Sequence, residues 1–141
     1  MDATITRTVA AEPDAVWAVL ADHEGLSRWA PGLSARLVTT GSPDPNGVGA
    51  VRRIGLPLPA PAIVEEVTVF EPRHRLAYKA LSGVPLKNYG GEVVLERTPA
   101  GTAISYSIRA DRRIPVLDAL AVRAIAAALL HALVRQTRKA T

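Results

Sequence analysis

GVPLKNYGGEVVLERTPAGTAISYSI, residues 83 to 108, decides the fold. Two runs, one over 89–97 and one that starts at 102, alternate apolar and polar side chains and favour β-branched residues, with the turn chemistry of TPAG between them. They read as two antiparallel strands. The first is entered through a polar, glycine-flanked corner, Lys87-Asn88-Tyr89, where a tight turn would be the simpler solution. Successive strand residues face opposite sides of a sheet, so Tyr89, Gly91, Val93 and Leu95 share one face, and Ile104, Tyr106 and Ile108 share the matching face of the second strand. Those faces are read as the inner ones, with the corner as a polar lip over an apolar space.

Working outward, the chain is β from Leu33 to Asp111. Strands are expected near 33–40, 48–56, 62–71, 75–82, 89–97 and 102–110, separated by GSPDPNG, PLPAP, EPRHR, GVPLKN and TPAG. Residues 3–9, ATITRTV, add a strand at the start. Between this strand and the meander the period changes. Pro13 suits a first helical turn and Asp14 complements its positive end, while Val16, Trp17 and Leu20 fall on one face; Glu12 is a poor capping residue. A second short helix, HEGLSRWA, stops at Pro31-Gly32. A long helix follows Pro115 and runs to about Lys139, apolar nearly all the way round. The expected architecture is α+β: one domain over residues 1–141, a seven-stranded curved antiparallel sheet wrapped around the long C-terminal helix, and two short helices between strands 1 and 2. A curved sheet covered by one helix leaves room inside.

Composition agrees. A chain of 141 residues can bury roughly two-thirds of its unfolded surface, and with only 6 aromatic residues among 48% apolar ones its interior is mostly Val, Leu, Ile and Ala. There is no cysteine, so disulfides and thiolate metal sites are excluded. The opening residues lack the basic-then-apolar pattern of a secretory signal, and a cytoplasmic protein is expected. Residues 114–134 are interrupted by Asp118, Arg123 and His131 and read as a buried helix, not an integral membrane segment. The net charge of +4 is scattered, without the clustered bases and exposed aromatics of a nucleic-acid interface.

Four pieces carry a family resemblance: EPDAVWAVLADHEGLSRWAPG at 12–32, GVGAVRR at 47–53, VFEPRHRLAYK at 69–79 and GTAISYSI at 101–108. In this order they resemble the START-like, helix-grip superfamily also called SRPBCC, the polyketide cyclase/dehydrase and lipid transport proteins with a Bet v 1-like fold. The resemblance implies a deep cavity between sheet and helix for apolar or polycyclic molecules. It does not imply an enzyme, because one fold hosts many functions.

Side-chain parity supplies the candidates. Tyr78, Tyr89 and Tyr106 all fall on the concave face, where ordinary strand packing and ligand contact are equal readings. Pairing about Pro59 sets Arg52 opposite Glu66 and Arg53 opposite Glu65, and the inner set is read as Ala50, Arg52, Ile54, Val64, Glu66 and Phe70. An inward Arg52-Glu66 pair could orient a ligand carbonyl or phenolate; a cross-strand surface ion pair is the blander reading. His131 shares a helix face with Leu120, Ala124 and Ala127, small residues that would leave volume beneath the sheet, and could act as a base or hydrogen-bond donor. His23 and His74 are read as solvated. Trp17 packs the small helices, and Trp29 can reach the end of the cavity. No metal-ligand spacing, phosphate loop or nucleophile elbow is present, so neither a metal nor a cofactor is expected.

Three functions follow. The first is a binding protein for a small hydrophobic, aromatic, polyketide or lipid-like molecule. The second is a cofactor-free polyketide cyclase or dehydratase using Arg52, the tyrosines and His131. The third is a module for a protein partner or membrane surface, with a homodimer compatible.

Overall fold

The computed structural model describes residues 2–30, 32–57, 59, 61–84, 87–111 and 115–140. Pro31, residues 112–114 and parts of the PLPAP and GVPLKN turns named above therefore lie outside the described residues, as does the side chain of Asp118. Seven strands form: β1 (Asp2–Val9), β2 (Ser34–Thr39), β3 (Val51–Gly55), β4 (Ile63–Glu71), β5 (Arg75–Ser82), β6 (Gly90–Thr98) and β7 (Gly101–Arg109). All neighbours are antiparallel in the order β1-β7-β6-β5-β4-β3-β2. Strands β2 to β7 are the expected meander, and β1 joins the far edge beside β7.

The helices between β1 and β2 cross from one edge of the sheet to the other. They are α1 (Pro13–Leu20), a single 3₁₀ turn (His23–Gly25) and α2 (Leu26–Trp29). Helix α1 starts on Pro13, and the Glu12 side chain does not cap it but pairs with Arg97. Val16 and Leu20 bury, while Trp17 packs edge-on against Phe70 with ring centroids 5.0 Å apart. The 3₁₀ turn is capped by Asp22, whose carboxylate accepts from the Gly25 N–H.

Helix α3 (Pro115–Ala140) lies on the concave side of the sheet. Its buried stripe is Val122, Ala126, Leu130, Leu133, Val134 and Thr137, set against Val93, Ile104 and Ile108 of the sheet. Leu120–Lys139 is long and apolar enough to cross a membrane by length and composition alone, and here it is the core helix of the domain. Leu120, Ala124, Ala127 and His131 occupy the opposite, exposed face of α3, so their expected place beneath the sheet is corrected. The physical reason is phase. Residues 122 and 126 sit two positions along from 120 and 124, about 200° around an α-helix, and an almost wholly apolar sequence gives no polar face to fix which set turns inward.

Candidate functional site

A cavity of about 380 Å³ opens between the inner face of the sheet and α3, within the size range of small-molecule sites. Leu20, Leu26 and Trp29 from the short helices close one end, Leu76 and Tyr78 form the floor, and Ile125, Ala128 and Leu129 of α3 line the helix side. The lining is mostly apolar. Its polar members are Arg52, Glu65, Tyr78, Tyr89 and Tyr106.

Strand register places Arg52 directly opposite Glu65, Arg53 opposite Val64 and Val51 opposite Glu66. The expected pairing is therefore one residue out. Arg52 does turn inward, but its partner is Glu65. Glu66 lies on the other face beside Lys79, 3.6 Å away, and is not a cavity residue. One irregularity, between Val67 and Val69, leaves Thr68 of β4 unpaired and shifts the strand's parity: Glu65 and Val67 bury, and beyond it Phe70 again faces the core, whereas the irregularity at Val64/Glu65 skips Leu81 of β5 and leaves the alternation of β4 intact. A uniform alternation along β4 could not have anticipated both Glu65 and Phe70.

Arg52 and Glu65 form a buried ion pair, with Nε and Nη2 of Arg52 donating to the same oxygen, Oε1, at 2.9 and 2.7 Å. The third donor branch, Nη1, is 3.2 Å from Nδ1 of His23. Across the ring, Nε2 of His23 lies 2.7 Å from the Asn46 carbonyl oxygen. Only one tautomer satisfies both contacts: Nε2 carries the hydrogen and donates to Asn46, and Nδ1 accepts from Arg52. Burial, followed by the adjacent Arg52 charge, lowers the His23 pKa to about 4, so the neutral ring is the form at neutral pH. The sequence places His23 in solvent; in the structure it is 1% exposed. Its place in a three-residue 3₁₀ turn leaves no periodic signal, and the clue is indirect: a buried guanidinium has five N–H groups, more than one carboxylate takes up.

The Arg52 guanidinium also lies over the Tyr78 ring, 4.8 Å from its centroid. Tyr78 on β5 and Tyr106 on β7 are separated by β6, yet their hydroxyls meet at 3.0 Å. Gly91 makes this contact geometrically open. It pairs with Tyr78 in the ladder, and a Cβ there would run into the Tyr78 ring. Tyr89, 7% exposed, completes the cluster from the start of β6. The Lys87-Asn88 corner ahead of it is held by Asn88 in a left-handed conformation (φ 54°), whose amide donates to Asp111 at 2.7 Å, and by the Asp111 N–H donating to the Lys87 carbonyl. Burial raises the pKa of all three phenols, that of Tyr106 to about 12, so they remain hydrogen-bond donors across the ordinary pH range.

Of the nine residues singled out in the sequence, Trp29, Arg52, Tyr78, Tyr89 and Tyr106 thus share the cavity wall, whereas Glu66, Leu120, Ala124 and His131 do not. His131 instead meets Arg7 of β1, whose Nη1 is 3.4 Å from Nδ1. Among the described residues no cluster of three or more His, Asp or Glu side chains is placed to hold a metal.

A family model for polyketide cyclase/dehydrase and lipid transport proteins matches residues 1–139. The chain belongs to this family. Solved structures share its fold at low identity. MLL2253 from Mesorhizobium loti superposes with a TM-score of 0.77 at 16% identity, over 100% of this chain and 98% of its own. Ara h 8.0201 gives 0.77 at 15% identity, over 99% and 98%, and TTHA0849 from Thermus thermophilus gives 0.76 at 18%, over 100% and 99%. At these identities the likeness establishes the fold. No curated protein matches the sequence.

Proposed function

We propose that this protein binds one small hydrophobic molecule, aromatic, polyketide-like or lipid-like, in the cavity between the sheet and α3. The observation that carries the reading is the cavity itself: about 380 Å³, walled by aliphatic side chains, with its few polar groups gathered into one cluster. Apolar area removed from water supplies the affinity and the polar groups fix the orientation. Membership of a family that includes lipid transport supports this, and the lack of cysteine suits a cytoplasmic location. Native mass spectrometry of protein isolated from its own host, followed by titration with apolar aromatic and lipid probes, tests the reading. A retained apolar compound or saturable one-to-one binding is expected. Failure of every probe to saturate, with nothing retained, would sink it.

One observation favours a second reading, a cofactor-free cyclase or dehydratase. The polar groups form a compact set within the wall, where a carrier needs them only at the rim. In that reading the α-proton of a ketone passes to the Glu65 carboxylate in the same wall, the phenol of Tyr78 or Tyr106 hydrogen-bonds the enolate oxygen that forms, and Arg52, no longer neutralised by Glu65, balances its charge. His131 has no part in it. Once a bound compound is known, Tyr106→Phe should abolish its turnover while leaving its binding within a few-fold; unchanged turnover in both Tyr78→Phe and Tyr106→Phe would end this reading.

A further inference from the structure

We infer that the molecule accommodated in the cavity is uncharged and presents a hydrogen-bond acceptor oxygen, such as a ketone, to the tyrosine cluster, and that a carboxylate of the same size is rejected. This deepens the ligand-binding proposal and rests on it. Arg52 is the one cation among the described residues lining the cavity, and two of its donors are already on Glu65 and a third on His23. An incoming anion would find no unpaired positive charge, would lie beside the Glu65 carboxylate, and would give up its hydration to a mostly aliphatic wall.

In the Tyr78–Tyr106 contact one phenol donates and the other accepts, so the accepting phenol keeps its own O–H free for another partner. The Tyr89 hydroxyl makes no hydrogen bond among the described residues. The buried indole N–H of Trp29, in the same wall, also has no acceptor among them. Three donors in this wall are thus left without a protein acceptor, against one carboxylate oxygen, Oε2 of Glu65, without a donor among the described residues, and a buried donor without a partner is costly. A ligand oxygen that only accepts corrects the imbalance, while the raised phenol pKa values keep these donors protonated.

The test is a calorimetric comparison of three two-ring probes at pH 7: 2-acetylnaphthalene, 2-ethylnaphthalene and 2-naphthoate. They share size and apolar surface and differ in the oxygen. The ketone should bind about fivefold more tightly than the ethyl compound, the contribution of one good hydrogen bond, and 2-naphthoate should be the weakest. Tyr89→Phe and Tyr106→Phe, each checked for a native melting transition, should narrow the ketone's advantage over 2-ethylnaphthalene without weakening 2-ethylnaphthalene itself. Equal affinity of ketone and ethyl compound in the wild-type protein, or 2-naphthoate binding as tightly as the ketone, would overturn the inference while leaving the cavity a ligand site. Absence of binding by all three, 2-ethylnaphthalene included, would remove the ligand-site reading and the inference together.

Discussion

At the scale of single residues, the decisive feature is a guanidinium held in the wall of an apolar cavity. Removing one partner of a buried ion pair leaves the other charged and unsolvated, so Glu65→Ala should cost about 3–5 kcal/mol in urea unfolding. Replacing both partners with apolar residues, Arg52→Met with Glu65→Leu, should cost far less than Glu65→Ala alone; an equal loss would contradict the charge argument. His23 adds a pH dependence. Its imidazole takes up a proton near pH 6.5 in the unfolded chain and only near 4 in the folded protein. Between those values the unfolded state binds more protons, so the contribution of neutral His23 is complete above pH 6.5 and is lost as pH falls through about 4, on the order of 3 kcal/mol in all. His23→Gln should therefore flatten the decline of unfolding free energy between pH 6.5 and 4, and an unchanged slope would mean that His23 protonates without penalty. Arg52 and the three tyrosines were legible because strand periodicity assigns faces. Glu65 and His23 were not, since one depends on a one-residue register and the other on a short 3₁₀ turn.

At the scale of elements, β6 and α3 make opposing demands on side-chain volume. Gly91 in β6 must stay small because the Tyr78 ring lies over it on the way to Tyr106. Gly91→Ala should displace that ring, separate the two hydroxyls and lower the melting temperature. A crystal structure of the variant in which the Tyr78–Tyr106 contact persists would contradict this role. In α3 the question is phase. Leu130 is fully buried and Leu120 is 61% exposed, so Leu130→Ala should cost about 2–5 kcal/mol and Leu120→Ala no more than about 0.5 kcal/mol. Comparable losses would mean that the helix face has been misassigned. The existence, order and approximate ends of these elements could be read from turns and periodicity. The inward face of α3 could not, because its apolar residues encircle it, and neither could the inward face of β4, because an irregularity at Thr68 resets its alternation.

At the scale of the whole molecule, the seven-stranded antiparallel sheet, the helices linking its edges and the long helix across its concave side together enclose the cavity. The architecture was legible because each level of the sequence agreed with it: turn residues between strands, a change of period at the helices, and a concave face supplied with every tyrosine in the chain. The ligand's identity was not legible, since the size and polarity of a cavity arise from residues far apart in sequence, such as Leu26, Ile63 and Leu129. The most direct test of the account is a methyl NMR titration with 2-acetylnaphthalene. Saturable shifts are predicted at Leu26, Ile54, Ile63, Leu76 and Leu129, with Leu120 unmoved. Shifts centred on Leu120 and the exposed face of α3, or none up to the probe's solubility limit, would contradict the claim that this protein holds a small apolar ligand inside.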